Sequence, residues 1–339
     1  MRVGVLLPVK NGARHLGAAL RSLHAQTHPA DEIVAVDDRS CDATHAILRA
    51  WMNRLPLRVV AGGGGGIAQA LKRGLEVASQ PWIVRMDADD VMHPRRIEKQ
   101  LAFARDNPGL DVVGTEVLSV PPSRVTARRV AYDAWISSLH TPEEHARDIY
   151  VEAPLAHPTV MLRRSKLEEV GGYHKVEWPE DYDLWLRLHG AGARMGKPQG
   201  ILHFWREHGA RLSRTHGDYT LQAIRRCRLH HLVEHMNLKQ RPVVMVGAGF
   251  EGKAAGRVLI EEGVHIVAHV DADPRKVGGR LMGEGGVRVF AASQLVPLAR
   301  QNADTVVVVA IGTAGARPGL REELRALGFT EGLNAVVAA

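Results

Sequence analysis

Residues 86–90 read Met-Asp-Ala-Asp-Asp, so the apolar run Trp82-Ile83-Val84 ends in three carboxylates within four positions. Like charges that close repel at neutral pH unless a cation or hydrogen bonds hold them. Oxygen ligands suit a hard divalent ion, Mg²⁺ or Mn²⁺, which usually completes its shell with substrate phosphates. If strand geometry persists, Asp87 and Asp89, two apart, project the same way. The alternative is an acidic loop in which Asp89 or Asp90 caps the helix opened by Pro94. Asp37-Asp38 closes a second apolar run over residues 33–36, and Glu180-Asp181 follows Trp178-Pro179. A carboxylate in a first helical turn is favoured by the helix dipole and is expected to be ionised; a helix-start pair without chemistry is the alternative there.

The elements that must carry these acids follow from periodicity. Residues 3–8 form an apolar run, and Leu16, Leu20 and Leu23 then recur at helical spacing, giving a strand, loop, helix unit. Further buried strands are expected over residues 33–36, 57–60, 82–86 and 111–114. Helices are expected over 67–78, with Ile67, Leu71 and Leu75 inward, and over 94–105. Two strands thus deliver acids at their C-terminal ends, the side where ligands bind in a parallel α/β sheet. The five glycines Gly62 to Gly66 read either as a flexible loop or as a backbone approach to phosphate at a helix start. Residues 119–129 read as irregular. Gly171-Gly172-Tyr173 reads as a tight loop, and Leu184, Trp185 and Leu188 mark the buried side of the helix after Pro179. A helix over about 218–236 carries Arg225, Arg226, Arg228, His230 and His231, read as a solvated basic face or a nucleic-acid patch.

With 339 residues, 45% hydrophobic and 24% charged, the chain has the length and composition of a two-domain globular protein. The boundary is expected at Lys239-Gln240-Arg241-Pro242, giving domains 1–240, with a helical extension over about 216–240, and 241–339. No stretch reaches the roughly 20 apolar residues that cross a bilayer, which leads to the expectation of a cytoplasmic protein. Cys41 and Cys227 are too few for a disulfide framework and lack metal-site spacing. A net charge of +7 allows an anionic partner without identifying one.

Past residue 242 the pattern changes. Val243-Val244-Met245-Val246-Gly247-Ala248-Gly249-Phe250-Glu251-Gly252 is a strand running into the glycine pattern of a dinucleotide fold. Gly247, Gly249 and Gly252 would permit the turn and the close approach of a pyrophosphate, and Asp271 closes the next strand where a ribose-binding acid would sit. No residues for hydride transfer are evident here, so a non-redox or structural module stands beside the nucleotide-binding one.

Five blocks in order, Leu7-Pro8-Val9-Lys10-Asn11-Gly12, Val36-Asp37-Asp38-Arg39-Ser40, Met86-Asp87-Ala88-Asp89-Asp90, Gly171-Gly172-Tyr173 and Glu180-Asp181-Tyr182-Asp183-Leu184-Trp185, resemble the family 2 glycosyltransferases of the GT-A fold over about residues 1–215. The resemblance implies an α/β GT-A domain followed by a Rossmann-like α/β domain. It also implies a nucleotide-diphosphate sugar donor, in particular a UDP-sugar, and Mn²⁺ or Mg²⁺ as cofactor. By it, Pro8 and Asn11 line the nucleotide pocket and Asp38 holds uracil or ribose. Asp87 and Asp89 form the sugar-nucleotide and metal motif, with Asp89 the direct ligand, and Asp181 is the general base of an inverting displacement. Arg206 and His208 stand where related enzymes carry an arginine that reaches the diphosphate and a histidine that completes the metal shell. Arg39 departs from a common glycine and Lys72 from a frequent asparagine.

A closer resemblance, covering almost the whole chain, is to queuosine-tRNA galactosyltransferase-like proteins, carried by Pro121-Pro122, Trp135, Thr141-Pro142-Glu143-Glu144, Pro179-Glu180-Asp181 and the appended glycine-rich domain. It implies a tRNA acceptor. A cell-envelope polysaccharide or lipid-linked acceptor is the alternative, and a non-catalytic sugar-nucleotide or tRNA-binding protein is the alternative of another class. The second domain alone is similar to the N-terminal nucleotide-sugar-binding domain of bacterial sugar O-acyltransferases, through Val246-Gly247-Ala248-Gly249, Val270-Asp271-Ala272-Asp273-Pro274 and Val309-Ala310-Ile311-Gly312.

Overall fold

Valine- and leucine-rich runs too short for helices, separated by amphipathic helical stretches, build two α/β units. The computed structural model describes residues 1–209, 211–282, 286–313 and 315–339. Contacts divide the chain into residues 1–146 with 153–216, and residues 147–152 with 217–339. The expected boundary near residue 240 therefore differs from this division, which counts the helix Leu221–His235 with the second unit.

In the first unit the strands are β1 (Val3–Val9), β2 (Glu32–Asp37), β3 (Leu57–Ala61), β4 (Trp82–Arg85), β5 (Val91–Met92), β6 (Val112–Val113), β7 (Glu116–Val120), β8 (Met161–Arg163), β9 (Met195–Gly196) and β10 (Ile201–Arg206). Seven form one sheet in the order β3-β2-β1-β4-β8-β6-β9. Strands β1 to β4 are mutually parallel, which requires crossover connections and buries both faces. β1 is accordingly buried at every position. β8 runs antiparallel to β4 and β6, so the sheet is mixed beyond β4. A second sheet, β5-β10-β7, pairs β10 antiparallel to β5 and parallel to β7. The register His203↔Met92 and Phe204↔Val91 ties the chain after the acidic turn to the strand that ends at Arg206.

The segment expected to be irregular after Ser119 is largely ordered. Val120 ends β7, and a helix spans Ala127–Ser138 with Thr126 accepting the Arg129 amide as its N-cap. Its Asp133 is buried and accepts the amide of Ser119, pinning the helix to β7. The signal was obscured because this helix buries Asp133 and Ile136 rather than a continuous apolar stripe.

The second unit holds β11 (Val243–Val246), β12 (Ile266–Asp271), β13 (Arg280–Leu281), β14 (Val287–Ala291), β15 (Val306–Val309) and β16 (Ala335–Val337), in the order β13-β14-β12-β11-β15-β16. All pairs are parallel except β13 with β14. The helix Leu221–His235 does not present the solvated basic face expected of it: Arg225, Arg228 and His231 are buried, and Arg225 lies 3.0 and 2.9 Å from the two carboxylate oxygens of Glu251. Among the described residues no helix is long and apolar enough to cross a membrane.

Gly247 has φ of 108°, and a Cβ on Gly252 would lie 2.1 Å from the Gly247 carbonyl oxygen. Backbone cannot yield there as a side chain would, so overpacking should exceed the roughly 1 kcal/mol that alanine gains in helix propensity. Gly252→Ala should therefore lower stability by about 1–3 kcal/mol, read as an earlier urea midpoint; an unchanged midpoint would show that the turn is not closely packed.

Candidate functional site

The acidic corner forms because β4 stops at Arg85 and the chain turns before β5 starts at Val91. Strand alternation does not continue through residues 87–89, contrary to expectation; the turn instead gathers carboxylate oxygens of Asp87, Asp89 and Asp90 within 4.8 Å of one another. Nor does any of these acids cap the next helix, whose N-cap is Arg95 with no side-chain cap bond.

Each acid has its own partner. Asp87 Oδ1 lies 2.7 Å from Nη1 of the buried Arg85. Asp89 Oδ2 is 2.6 Å from His208 Nε2, and Arg206 Nε donates to the Asp89 carbonyl at 2.7 Å. Asp90 is fully buried; its carboxylate accepts the Arg206 amide at 2.8 Å and contacts His203 Nε2 at 2.9 Å. Arg211 Nη1 stands 3.5 Å from the same carboxylate. On the far side of the His203 ring, Arg96 Nη1 lies 3.1 Å from Nδ1. A guanidinium only donates, so Nδ1 accepts and Nε2 carries the proton toward Asp90. Burial pushes the Asp90 carboxyl up to about 7 against the pull of Arg211, and burial followed by Arg96 holds His203 neutral. Asp90 thus fixes the loop that delivers Arg206 and His208, a role that its sequence position did not reveal.

Asp89 and His208, with side chains 27% and 17% exposed, are the groups here that a cation could reach without breaking the Arg85 pair that holds Asp87. One carboxylate and one imidazole suit a divalent ion whose remaining ligands are phosphate oxygens and water. Ligation by both, at about 2.1 Å each, calls for only a small opening of the pair. His15, from the helix Ala13–His24, lies against His208 with ring centroids 5.3 Å apart. Burial, then the nearby Arg206, lowers its pKa. Nothing in the spacing of residue 15 signalled this.

The nucleotide-pocket candidates occupy the ends of β1 and β2. Pro8 is buried within β1, paired with Val36. Asn11, exposed with φ of 51°, donates its amide to Ser40 Oγ, and its Oδ1 accepts the amide of Cys41. Asp38, just past β2, is buried, and its two carboxylate oxygens accept the amides of Gly64 and Gly66 at 2.7 and 3.0 Å. These bonds hold the glycine loop and leave a further acceptor lone pair on each oxygen. The same bonds occupy two of the amides that a phosphate would use and give the loop a fixed path, with φ of 85° and 87° at Gly64 and Gly66, conformations that favour glycine.

Asp181 is in the first turn of the helix Glu180–Gly190, whose Tyr182, Leu184, Trp185 and Leu188 are buried. Glu180 faces His157 at 3.8 Å and Asp183 pairs with Arg187 at 2.7 Å. Asp181 accepts the amide of Tyr182 at 2.8 Å. Desolvation raises its pKa to about 6 against the lowering influence of that amide and of Arg85. Burial thus outweighs the helix dipole and makes Asp181 a stronger base than a solvated aspartate, although it is still mostly ionised at neutral pH.

In the second unit, Gly247, Gly249 and Asp271 line a cavity of about 630 Å³ with Phe250, Lys276 and Ile311. Asp271 Oδ2 accepts the Ala248 amide and contacts Lys276 Nζ at 3.1 Å, and Oδ1 accepts the Asp273 amide. Through these bonds it braces the glycine turn from within the cavity lining. Gly252 packs against Gly247 outside the lining.

The first unit's mixed sheet, with acids at the ends of β2 and β4, is a GT-A-like fold. It superposes on the crystal structure of S. aureus TarS 1-349 in complex with UDP-GlcNAc with a TM-score of 0.57, at 20% identity, over 69% of this chain and 67% of that one. The family profile described as glycosyl transferase family 2 matches residues 4–171. The amylovoran biosynthesis glycosyltransferase AmsE of Erwinia amylovora is 32% identical over 186 residues, 54% of this chain and 67% of that protein. The putative glycosyltransferase EpsE of Bacillus subtilis (strain 168) is 30% identical over 241 residues, 67% of this chain and 84% of that protein. The chain belongs to glycosyltransferase family 2 and is a glycosyltransferase.

The split between Asp90 and Asp89 can be measured. Asp90→Ala strands buried His203 and Arg211 and should cost about 3–5 kcal/mol of stability, whereas Asp89→Asn should cost no more than about 1 kcal/mol. Equal losses in urea unfolding would refute the division.

Proposed function

We propose that the protein transfers a sugar, with inversion, from a UDP-sugar to a hydroxyl of a polysaccharide or lipid-linked acceptor. The observation that carries this reading is Asp181: a partly buried carboxyl in a first helical turn that accepts the Tyr182 amide and is pushed by burial to about 6. A general base works best with a pKa near the operating pH. At pH 7 such a group is mostly ionised yet a stronger base than an ordinary aspartate. The relative named for amylovoran biosynthesis supports a polysaccharide-type acceptor, and the relatives described above give no support to tRNA.

In this scheme Asp89 and His208 would hold a divalent cation, Mn²⁺ or Mg²⁺, which would supply Lewis acidity for the departing diphosphate. Arg206, anchored on the Asp89 carbonyl, brings a fixed positive charge to the same phosphate oxygens. Asn11 and the strand end at Pro8 form one wall of the nucleotide site, and Asp38 shapes it by holding the glycine loop. Asp181 takes the acceptor proton as the hydroxyl oxygen bonds to the anomeric carbon and the diphosphate leaves with the electron pair. A single displacement of this kind inverts the anomeric centre and needs no covalent intermediate. For the second unit, the glycine turn and its cavity support a nucleotide-type ligand, with Gly247 and Gly249 against it.

The test is to incubate the protein and Mn²⁺ with UDP-, GDP- and dTDP-sugars and measure diphosphate release with lipid extract, polysaccharide or total tRNA. Release stimulated by lipid or polysaccharide with a UDP-sugar is expected; stimulation by tRNA alone, abolished by nuclease, would overturn the acceptor. Asp181→Asn should abolish transfer while donor affinity stays within about threefold; loss of donor binding together with activity would make Asp181 a donor or structural residue. Because the base acts as its carboxylate, the rate should fall tenfold per unit as pH drops below about 6. A rate that is flat from pH 5 to 8 would remove Asp181 from the proton transfer.

A further inference from the structure

The end of β10 and the chain after it read Trp205-Arg206-Glu207-His208, and these four side chains alternate in direction. Arg206 and His208 reach Asp89, the first through its carbonyl and the second through its carboxylate. Trp205 and Glu207 turn the other way, and one side chain meets both. The guanidinium carbon of Arg129 lies 3.6 Å from the centre of the Trp205 ring, and its Nε stands 3.5 Å from Glu207 Oε1.

Arg129 is itself held in place. It is the third residue of the helix Ala127–Ser138, and the N-cap Thr126 accepts its amide at 3.2 Å. Nε donates to Ser119 Oγ of β7 at 2.8 Å and lies 3.0 Å from Asp133 Oδ1, one helical turn on. The residues it grips are anchored from further directions. Glu207 is buried, its amide donates to the Val120 carbonyl at 2.6 Å, and its carboxylate also meets Arg214. Arg211, 4.9 Å from the centre of the Trp205 ring, donates to the Arg206 carbonyl at 2.7 Å.

A largely buried cation is a poor device for stability alone. Burial lowers the pKa of Arg129 despite Asp133 and Glu207, and an apolar side chain packed on Trp205 would serve the core as well. What an apolar side chain lacks is the means to fix a ring and a carboxylate together. A planar guanidinium does this, lying on the aromatic face while its N–H groups answer the acid.

We propose that Arg129 is a positioning residue for the cation site: by gripping Trp205 and Glu207 it holds His208 within reach of Asp89. This rests on Asp89 and His208 being the cation ligands of the proposed function. The helix Ala127–Ser138, far from the acidic turn in sequence, thereby becomes the outer brace of that site.

The test measures Mn²⁺ affinity in the presence of UDP by electron paramagnetic resonance, at a temperature where circular dichroism shows each variant folded. Arg129→Gln should weaken binding about tenfold, the loss expected of a group that orients a metal ligand. Arg129→Lys keeps the charge beside Asp133 and Glu207 but has no plane to lay on the ring, and should lose about threefold. Because the effect runs through His208, adding Arg129→Gln to His208→Ala should weaken binding by less than about threefold further. An affinity within about twofold of wild type in whichever variant folds, or a further loss of about tenfold in the His208→Ala background, overturns the proposal. A second readout needs no cation. In metal-free wild type, a ring N–H proton protected by the Asp89 bond, assigned by its loss in His208→Ala, should be visible by NMR and should vanish in Arg129→Gln. If wild type binds no Mn²⁺, the metal assignment of the proposed function fails, and the resonance still decides this proposal: its persistence in Arg129→Gln overturns it.

Discussion

Everything in the first unit follows from the cost of placing Asp87, Asp89 and Asp90 side by side at the end of a buried strand. Left alone, three carboxylates whose oxygens converge within 4.8 Å could not all stay ionised. The fold resolves this by giving each acid a different counterpart from a different element. Asp87 takes Arg85 from its own strand, Asp89 takes His208 from beyond β10, and Asp90 takes His203 and Arg211. The three-stranded sheet exists in the right place because of that arrangement: β5 follows the turn directly, and β10 pairs with it while carrying the residues that answer Asp89 and Asp90.

The consequence is a division of labour among acids that are near-identical in sequence. Asp90, inaccessible and hydrogen-bonded on both sides, is an architectural anchor. Asp89 keeps a partner that can change, because an imidazole that contacts a carboxylate directly can also share a cation with it. Asp87 is held by the buried guanidinium of Arg85 from its own strand. The ends of β1 and β2 are locked by hydrogen bonds that the amides of residues 11–13 donate to Ser40, Thr44 and Asp42 across the loops, and Asp38 locks the glycine loop beside them. Such a frame is preorganised rather than assembled on binding.

Much of this was legible in the chain. Apolar runs at residues 3–8, 33–36 and 82–86 marked central strands because parallel strands are buried on both faces and read as continuous hydrophobic stretches. The acids at their ends, the Gly171-Gly172-Tyr173 turn and the helix after Pro179 also stood out locally. What escaped were long-range pairings that no motif carried. Asp38 and the glycine loop meet across 26 residues and Asp90 and His203 across 113, whereas Asp89 and His208, 119 apart, were brought together by the family resemblance alone. Burial of Arg85, Arg96 and Arg225 ran against composition rules, since charged residues go inside only when a partner from elsewhere in the fold meets them. The helix Ala127–Ser138 was hidden for a similar reason, its inward side resting on Asp133 and its bond to Ser119.

The central claim is that, of the three clustered acids, Asp89 is the one available to a cation, with His208, while Asp90 is spent on the fold. Electron paramagnetic resonance of Mn²⁺ titrated into the protein, with and without UDP, addresses it most directly. An immobilised Mn²⁺ signal that strengthens when UDP is added, and that is lost in Asp89→Asn and weakened in His208→Ala, is the predicted result. Mn²⁺ and UDP bound with undiminished affinity by Asp89→Asn would contradict it.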